Sequence, residues 1–194
     1  MTSNSKLVAA GEEPESDTEL ESRSGTLEWA IVIVSAIVFA LLLRTFVVAA
    51  FYIPSGSMEP TLEINDRVLV NKLSYATGDI TRGDIVVIRR EVVLPGQTDD
   101  IIKRVIAFPG ETVEISDDTV FIDGEALDES AYLGDGVPED NFGPFDVPEG
   151  TIFVLGDNRS NSDDSAKSLG PVKEEQVVGR AFVRFWPLSR LGGV

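Results

Sequence analysis

An uncharged run of fifteen residues, from Trp29 to Leu43, constrains this chain more than any other feature of its sequence. As a helix it would be about 22 Å long, against a hydrocarbon layer of about 30 Å, so flanking apolar residues must contribute to a membrane crossing. Trp29 would lie at one interface, and Arg44 could extend its guanidinium to the other. Residues 26–45 are therefore predicted to be a transmembrane anchor.

Two other structures match part of this pattern. A cleaved signal peptide carries its apolar segment after a basic one, whereas residues 1–25 are polar and mostly acidic and are predicted to be a disordered tail. A buried helix of a soluble protein is usually amphipathic, whereas this run is apolar on every face. The orientation of the anchor is weakly encoded, because Arg23 and Arg44 flank the run on opposite sides.

Composition narrows the chemistry that is available. The chain has no cysteine and no histidine, which excludes disulfides, thiolate metal sites, a cysteine nucleophile and a Ser-His-Asp triad, together with most zinc sites. The formal charge of −17 argues against a nucleic-acid partner, because phosphates would be repelled. An enzyme built from this chain must take its base from Lys, Asp, Glu or Tyr.

After Arg44, short apolar segments alternate with turn signals, which is the pattern of a β-sheet protein. The predicted fold is mainly β, a coiled, barrel-like sheet with a small β insertion, preceded by one transmembrane helix. A main domain is assigned to 46–115 and 151–194, and an insertion to 116–150, of which the acidic residues 128–149 are expected to form loops. The predicted strands are 46–53, 67–71, 84–88, 101–108, 111–115, 119–122, 151–155 and 177–185.

Ser57 is a candidate nucleophile. It follows a predicted strand and lies between Pro54 and Pro60, which restrict the backbone, while Gly56 permits conformations closed to other residues. A rigid backbone suits a nucleophile, because the attacking oxygen must be held in place. Taken alone, the segment would more often be an ordinary Ser/Gly/Pro turn.

A serine nucleophile needs a base, and Lys103 is the candidate. A neutral lysine can act if its pKa falls from about 10.4 to about 7–8, and burial among apolar groups lowers the pKa of an amine. Lys103 lies in an otherwise apolar strand, where alternation directs Lys103 and Arg104 to opposite faces, one inward and the other toward solvent. The alternative is a solvated Lys-Arg pair on a strand edge.

The segment 156–165 is a third candidate element. Its acidic residues invite a calcium-binding interpretation, but Arg159 occupies the third ligand position of an EF-hand and no glycine occupies the sixth. Two interpretations are left, a plain polar turn and a hydrogen-bonded loop that orients the catalytic strands.

Together these features resemble the bacterial type I signal peptidases, which are membrane serine proteases with a Ser-Lys dyad. The resemblance extends from the apolar run to Pro187. Its motifs occur in the order of the family, at residues 44–46, 51–62, 83–87, 103–111 and 156–162.

The resemblance implies a role for each matching residue. Ser57 would be the nucleophile and Lys103 the general base, while the Ser57 N–H and the Ser55 hydroxyl would form the oxyanion hole. Ser162 would hydrogen-bond the lysine ammonium, and Asp164 would be a supporting carboxylate. The shallow pockets for small side chains would be formed by Ile53, Met58, Leu62, Ile101 and Ile102.

One segment departs from the pattern of the family. After Ser165 the chain is one residue longer, and Lys167 stands where an arginine usually precedes Gly170 by three residues. We expect Lys167 to replace that arginine as the ion-pair partner of Asp164, although a lysine cannot make a bidentate contact.

The implied function is that of a membrane-bound endopeptidase that cleaves signal peptides from exported preproteins after small residues. The resemblance implies a monomer whose catalytic domain faces the extracytoplasmic side of the plasma membrane. Its partners would be signal peptides and the lipid bilayer, and no cofactor or metal is expected. The alternative is a catalytically inactive, anchored β-domain that binds peptides or assembles envelope proteins. A self-cleaving Ser-Lys repressor fits poorly, because the chain has an anchor and no visible DNA-binding segment.

Overall fold

The computed structural model describes residues 17–74, 78, 80–90, 100–133 and 140–194, with side chains described from residue 27 onward. The chain divides into two compact units, one ending at Leu43 and the other spanning Arg44–Val194. Each unit is described by itself below.

A single helix, α1, spans Asp17–Phe46. Its segment Leu27–Phe46 contains 20 residues, is long and apolar enough to cross a membrane, and has no buried residue. Residues 17–25, predicted to be disordered, are helical, because a helix that is nucleated in the apolar run extends into neighbouring residues at little cost. The rest of the predicted tail lies outside the described residues.

The second unit consists mainly of strands, and in the described part of the chain these form two antiparallel sheets. The strands are β1 (Val48–Tyr52), β2 (Arg67–Asn71), β3 (Ile85–Arg89), β4 (Asp100–Ala107), β5 (Thr112–Ser116), β6 (Thr119–Ile122), β7 (Glu125–Ala126), β8 (Phe142–Asp146), β9 (Thr151–Leu155), β10 (Val172–Lys173), β11 (Val177–Trp186) and β12 (Gly192–Gly193). The predicted mainly β fold after one apolar helix is confirmed.

The larger sheet is a curled half-barrel with the strand order β1-β2-β11-β3-β4-β9-β10, and β12 pairs with β11. The late strand β11 lies between β2 and β3 and is irregular in register against both neighbours. β3 pairs with β4 so that Val86 lies opposite Lys103. The apolar face of this sheet covers a core that includes Met58, Leu62 and Val68, all fully buried.

The smaller sheet, of order β7-β6-β5-β8, lies within residues 112–146. It therefore begins before the predicted insertion at 116, and its strand β8 falls where loops were expected, which corrects that prediction. Burial explains β8, because the rings of Phe142 and Phe145 lie 5.4 and 6.1 Å from that of Phe153 in a shared core. Gly143 between them has a φ of 84°, and a Cβ there would lie 2.4 Å from the Val113 carbonyl oxygen, so only glycine permits this bulged pairing.

Candidate active site

The segment between β1 and β2, which carries Ser57, packs on buried apolar side chains. Hydrogen bonds close this loop at its ends, from Ile53 N to the Asp66 carbonyl and from Asn65 N to the Ile53 carbonyl, each 2.9 Å. Met58 and Leu62 are fully buried beneath it, and Leu62 N donates to the Met58 carbonyl at 2.9 Å. Ser57 itself is half-buried, so the residue is packed on one side and accessible to solvent on the other.

Lys103 lies on β4 and is buried, with 4% of its surface exposed. Its Nζ donates a hydrogen bond to Ser162 Oγ at 3.0 Å. Burial lowers the pKa of Lys103 from 10.5 to about 8; Asp164 and Asp163 act in the opposite direction but do not offset it. A substantial fraction of this amine is therefore neutral near physiological pH.

Arg104 occupies the opposite face of β4, as strand alternation predicts, but it does not meet solvent. It is 6% exposed, and its Nε and Nη2 donate to the two carboxylate oxygens of Asp157 at 2.8 and 2.6 Å. Its Nη1 donates to the Gly83 carbonyl at 2.5 Å. The prediction that one of the two basic residues is solvated is thus wrong, because a buried carboxylate partner compensates the guanidinium.

The loop 156–165 connects the Ser57 segment with the partner of Lys103. Asn158 donates through its backbone N to the Ser57 carbonyl at 3.1 Å and through Nδ2 to the Gly56 carbonyl at 3.0 Å. A Cβ at Gly156 would lie 2.5 Å from the Ser57 carbonyl oxygen and 2.3 Å from Ser162 Oγ. Only a residue without a side chain allows these two groups to approach so closely, and the loop is hydrogen-bonded as one of the two sequence interpretations predicts.

Asp164 lies behind this loop, and its predicted ion pair with Lys167 is not formed. Asp164 is 1% exposed, its Oδ2 accepts a hydrogen bond from Gly156 N at 3.2 Å, and its Oδ1 has no hydrogen-bond partner among the described residues. Lys167 Nζ instead donates to the Arg159 carbonyl at 2.7 Å. A backbone turn explains the position of the Lys167 amine. Lys167 N donates to the Asp164 carbonyl in this turn, and the lysine side chain extends past the carboxylate to the Arg159 carbonyl.

A cavity of about 270 Å³ opens over these groups. Ser55, Ser57 and Lys103 all line it, and so do Ile53, Ile101 and Ile102 of the predicted pockets. Met58 and Leu62, also predicted to form pockets, belong instead to the core under the Ser57 loop. The structure gives these two residues a packing role, because the turn that presents Ser57 directs the next side chain inward.

Several residues of the site region carry no signal that sequence reasoning could use. Arg90 and Asp163 line the cavity, with Arg90 Nη2 3.9 Å from Asp163 Oδ2. Arg90 follows the apolar strand β3, and Asp163 follows the polar residues 158–162. Charged residues at such positions normally face solvent, so nothing in the sequence indicates that these two line the cavity. In the described part of the chain, no group of acidic side chains has an arrangement that could hold a metal ion.

The arrangement fits acyl transfer. It brings Ser57 and an amine of lowered pKa to one cavity, which Ser55 also lines. A base and a nucleophile in such a setting can form and hydrolyse a covalent intermediate without a metal.

Comparison with known proteins identifies the family of the chain. The family model described as "Signal peptidase, peptidase S26" matches residues 26–186. The chain is 46% identical to the probable signal peptidase I-2 of Synechocystis sp. over 168 residues, which cover 86% of this chain and 76% of that protein. It is 44% identical to signal peptidase I of Leptolyngbya laminosa, with coverage of 94% and 88%, and 38% identical to signal peptidase I S of Bacillus subtilis, with coverage of 89% and 95%. The chain therefore belongs to the peptidase S26 family of signal peptidases.

Proposed function

We propose that this signal peptidase is a membrane-bound serine endopeptidase that cleaves signal peptides from exported preproteins after small residues, with Ser57 as nucleophile and Lys103 as general base. One observation carries the proposal. The Lys103 amine is buried, has a pKa of about 8, and lines the same cavity as the Ser57 hydroxyl.

The first half of the reaction forms an acyl-enzyme. Neutral Lys103 takes the proton of Ser57 Oγ as this oxygen attacks the carbonyl carbon of the scissile peptide bond. The negative charge that develops on the carbonyl oxygen is stabilised by the Ser57 N–H and the Ser55 hydroxyl. When the C–N bond breaks, the Lys103 ammonium returns the proton to the departing amine, which becomes the new N-terminus of the mature protein.

The second half releases the signal peptide. Neutral Lys103 takes a proton from water, the hydroxide oxygen attacks the Ser57 ester, and the proton then passes to Ser57 Oγ as the ester bond breaks. Ser162 orients the amine through the 3.0 Å hydrogen bond. Asp164, whose charge acts on Lys103 through space, stabilises the ammonium form that each step produces.

The cavity suits an extended substrate with small side chains. Its volume of 270 Å³ lies below the usual range for drug-sized ligands of about 300–1,000 Å³, and Ile53, Ile101 and Ile102 narrow it with apolar walls. β1 is an edge strand of the larger sheet, and its last residues Phe51 and Tyr52 line the cavity. A peptide can pair with such an edge through main-chain hydrogen bonds while its alternate side chains enter the cavity.

The apolar helix supports membrane attachment. Leu27–Phe46 is proposed to be a single-pass anchor in the plasma membrane, with the catalytic domain on the extracytoplasmic side where cleavage sites emerge. An anchor confines a monomeric enzyme and its membrane-held substrates to the same surface, which raises their effective concentration.

The decisive experiment is cleavage of a model preprotein. The full chain, purified in detergent, is incubated with a preprotein carrying an Ala-x-Ala end to its signal peptide, and the new N-terminus is sequenced. Cleavage directly after that end is expected, and a substrate with Trp at the first or third residue before the cut should be resistant. Absence of cleavage would favour the alternative of an inactive peptide-binding β-domain, and equal cleavage of the Trp substrates would contradict the small-residue specificity.

Activity is also expected to depend on pH through Lys103. Only the neutral amine accepts a proton, and the neutral fraction increases as pH rises through the pKa, so kcat/KM should increase through about pH 8 and then level off. The measurement is the cleavage of a fluorogenic signal-peptide substrate from about pH 6 to about pH 11. A flat profile, or a midpoint near the ordinary lysine value of 10.5, would contradict a buried lysine base.

A further inference from the structure

A turn in the smaller-sheet region, at residues 129–133, contacts two buried arginines, Arg104 on β4 and Arg159 in the loop 156–165. The turn is closed by hydrogen bonds from Tyr132 N and Leu133 N to the Glu129 carbonyl, at 3.1 and 2.8 Å. The Tyr132 hydroxyl donates to Glu129 Oε1 at 2.8 Å, and the same carboxylate forms a salt bridge with Arg159. The Tyr132 ring lies over Arg104, with 3.8 Å between the guanidinium carbon and the ring centroid.

Arg159 is connected to the candidate catalytic groups through Gly156. Its Nε donates to the Gly156 carbonyl at 3.1 Å. Gly156 is the residue against which the Ser57 carbonyl and the Ser162 hydroxyl are packed, and Ser162 holds the Lys103 amine. A shift of Arg159 would therefore move Gly156, which contacts Ser57 directly and Lys103 through Ser162.

Arg104 contacts the same segment through Asp157. It follows Lys103 in β4, and its guanidinium is fixed by Asp157, the residue after Gly156. The Tyr132 ring covers this ion pair, which has 7% of the arginine side chain and 1% of the aspartate side chain exposed. A guanidinium stacked on an aromatic face is attracted to it and shielded from water.

Glu129 and Tyr132 compensate charges that would otherwise be costly. The Arg159 side chain is 2% exposed, and removal of one partner of a buried ion pair is destabilising because it takes charge compensation from a group that stays buried. Loss of Glu129 is thus expected to displace Arg159, and loss of the Tyr132 ring to open the Arg104–Asp157 pair to solvent. Either change would admit water to the back of the site.

We propose that Glu129 and Tyr132 are positioning residues for the cleavage reaction, which hold Arg159 and Arg104 and thereby fix the segment 156–162 and the strand that carries Lys103. The inference rests on the proposed Ser57–Lys103 mechanism. It gives the smaller-sheet region a function in catalysis, although none of its described residues lines the active-site cavity.

The test uses the full chain and two pairs of variants. Glu129→Ala removes the carboxylate, whereas Glu129→Gln keeps its hydrogen-bonding oxygen; Tyr132→Leu removes the ring, whereas Tyr132→Phe keeps it and loses the hydroxyl. Glu129→Ala and Tyr132→Leu should each lower kcat by about 10- to 100-fold with KM nearly unchanged. Tyr132→Phe should retain most of kcat, and Glu129→Gln should recover part of what Glu129→Ala loses.

The pH profile provides the readout that a purely structural role would not change. Because burial is what lowers the pKa of Lys103, water entering behind the loop should move the midpoint of kcat/KM upward from about 8 in Glu129→Ala and Tyr132→Leu. The matched control is Glu111→Gln, which alters the Arg82–Glu111 ion pair, 2.7 Å long, away from the cavity. This control should leave kcat and the midpoint unchanged.

The inference is overturned if folded Glu129→Ala and Tyr132→Leu keep the kcat and pH midpoint of the parent, or if only KM changes. Thermal unfolding identifies variants that do not fold, and Glu129→Gln then decides the question, since an unchanged kcat and midpoint in that variant would be equally contradictory. Ser57→Ala and Lys103→Met run in the same assay. Cleavage by those two would refute the dyad itself, whereas their inactivity beside a normal Glu129→Ala would refute only the positioning role.

Discussion

Replacing Lys103 by methionine is expected to abolish cleavage, with a loss of at least about 10⁴-fold in kcat. The chain has no histidine to take over as base, and Arg90, which also lines the cavity, carries a guanidinium that only donates hydrogen bonds. Asp100 and Asp163 lie at the cavity as well, but a carboxylate is a weak base toward a serine hydroxyl.

The fold should survive this substitution. Methionine fills the volume of the lysine stem without a charge to bury, so the unfolding temperature is expected to stay the same or to rise. The unfolding temperature and single-turnover cleavage of a preprotein are measured on the same sample. Lys72→Met is the matched control, because Lys72 Nζ bonds the Thr45 carbonyl at 2.8 Å and does not line the cavity. Full activity in Lys103→Met would remove Lys103 from the mechanism.

Ser57→Ala is expected to cause a loss of similar size, again at least about 10⁴-fold in kcat. Alanine retains the backbone carbonyl that accepts the hydrogen bond from Asn158 N and the N–H assigned to the oxyanion hole, so only the attacking oxygen is lost. Substrate binding should persist, because the cavity walls are unchanged. The measurements are kcat, and retention of a non-cleaved signal peptide in a binding assay.

Ser160→Ala is the control for this variant. Ser160 is exposed, and its hydroxyl makes a long contact of 3.5 Å to Asn158 Oδ1, so its loss should leave cleavage at the parental rate. If Ser57→Ala still cleaves while remaining folded, another nucleophile must be responsible and the dyad proposal is wrong.

The strands of the main sheet follow from local pattern. Segments such as β2, β9 and β4 are apolar or alternating and are bounded by turn residues, so their positions are encoded within a few neighbouring residues. The pairing of Lys103 with Ser162, separated by 59 positions in the chain, was expected only from the resemblance to a family, because nothing local to either residue indicates the other.

The features that were not predicted depend on distant partners. β8 contains a glycine and a proline and looks like a loop, yet Phe142 and Phe145 find a core made by Phe153 of another strand. Arg104 is buried because Asp157 meets it from a loop far along the chain. The direction of the Lys167 side chain depends on a turn about Asp164, which a comparison of residue types does not reveal.

The position of β11 has a consequence for the timing of activity during synthesis. Val177–Trp186 is near the C-terminus, but it lies between β2 and β3 and is the strand that joins the Ser57 side of the sheet to the Lys103 side. A nascent chain that has not yet produced this strand contains Ser57 and Lys103 but lacks the element that joins their two parts of the sheet. Under the proposed mechanism, Ser57 and Lys103 are therefore expected to come together only after β11 has been synthesised.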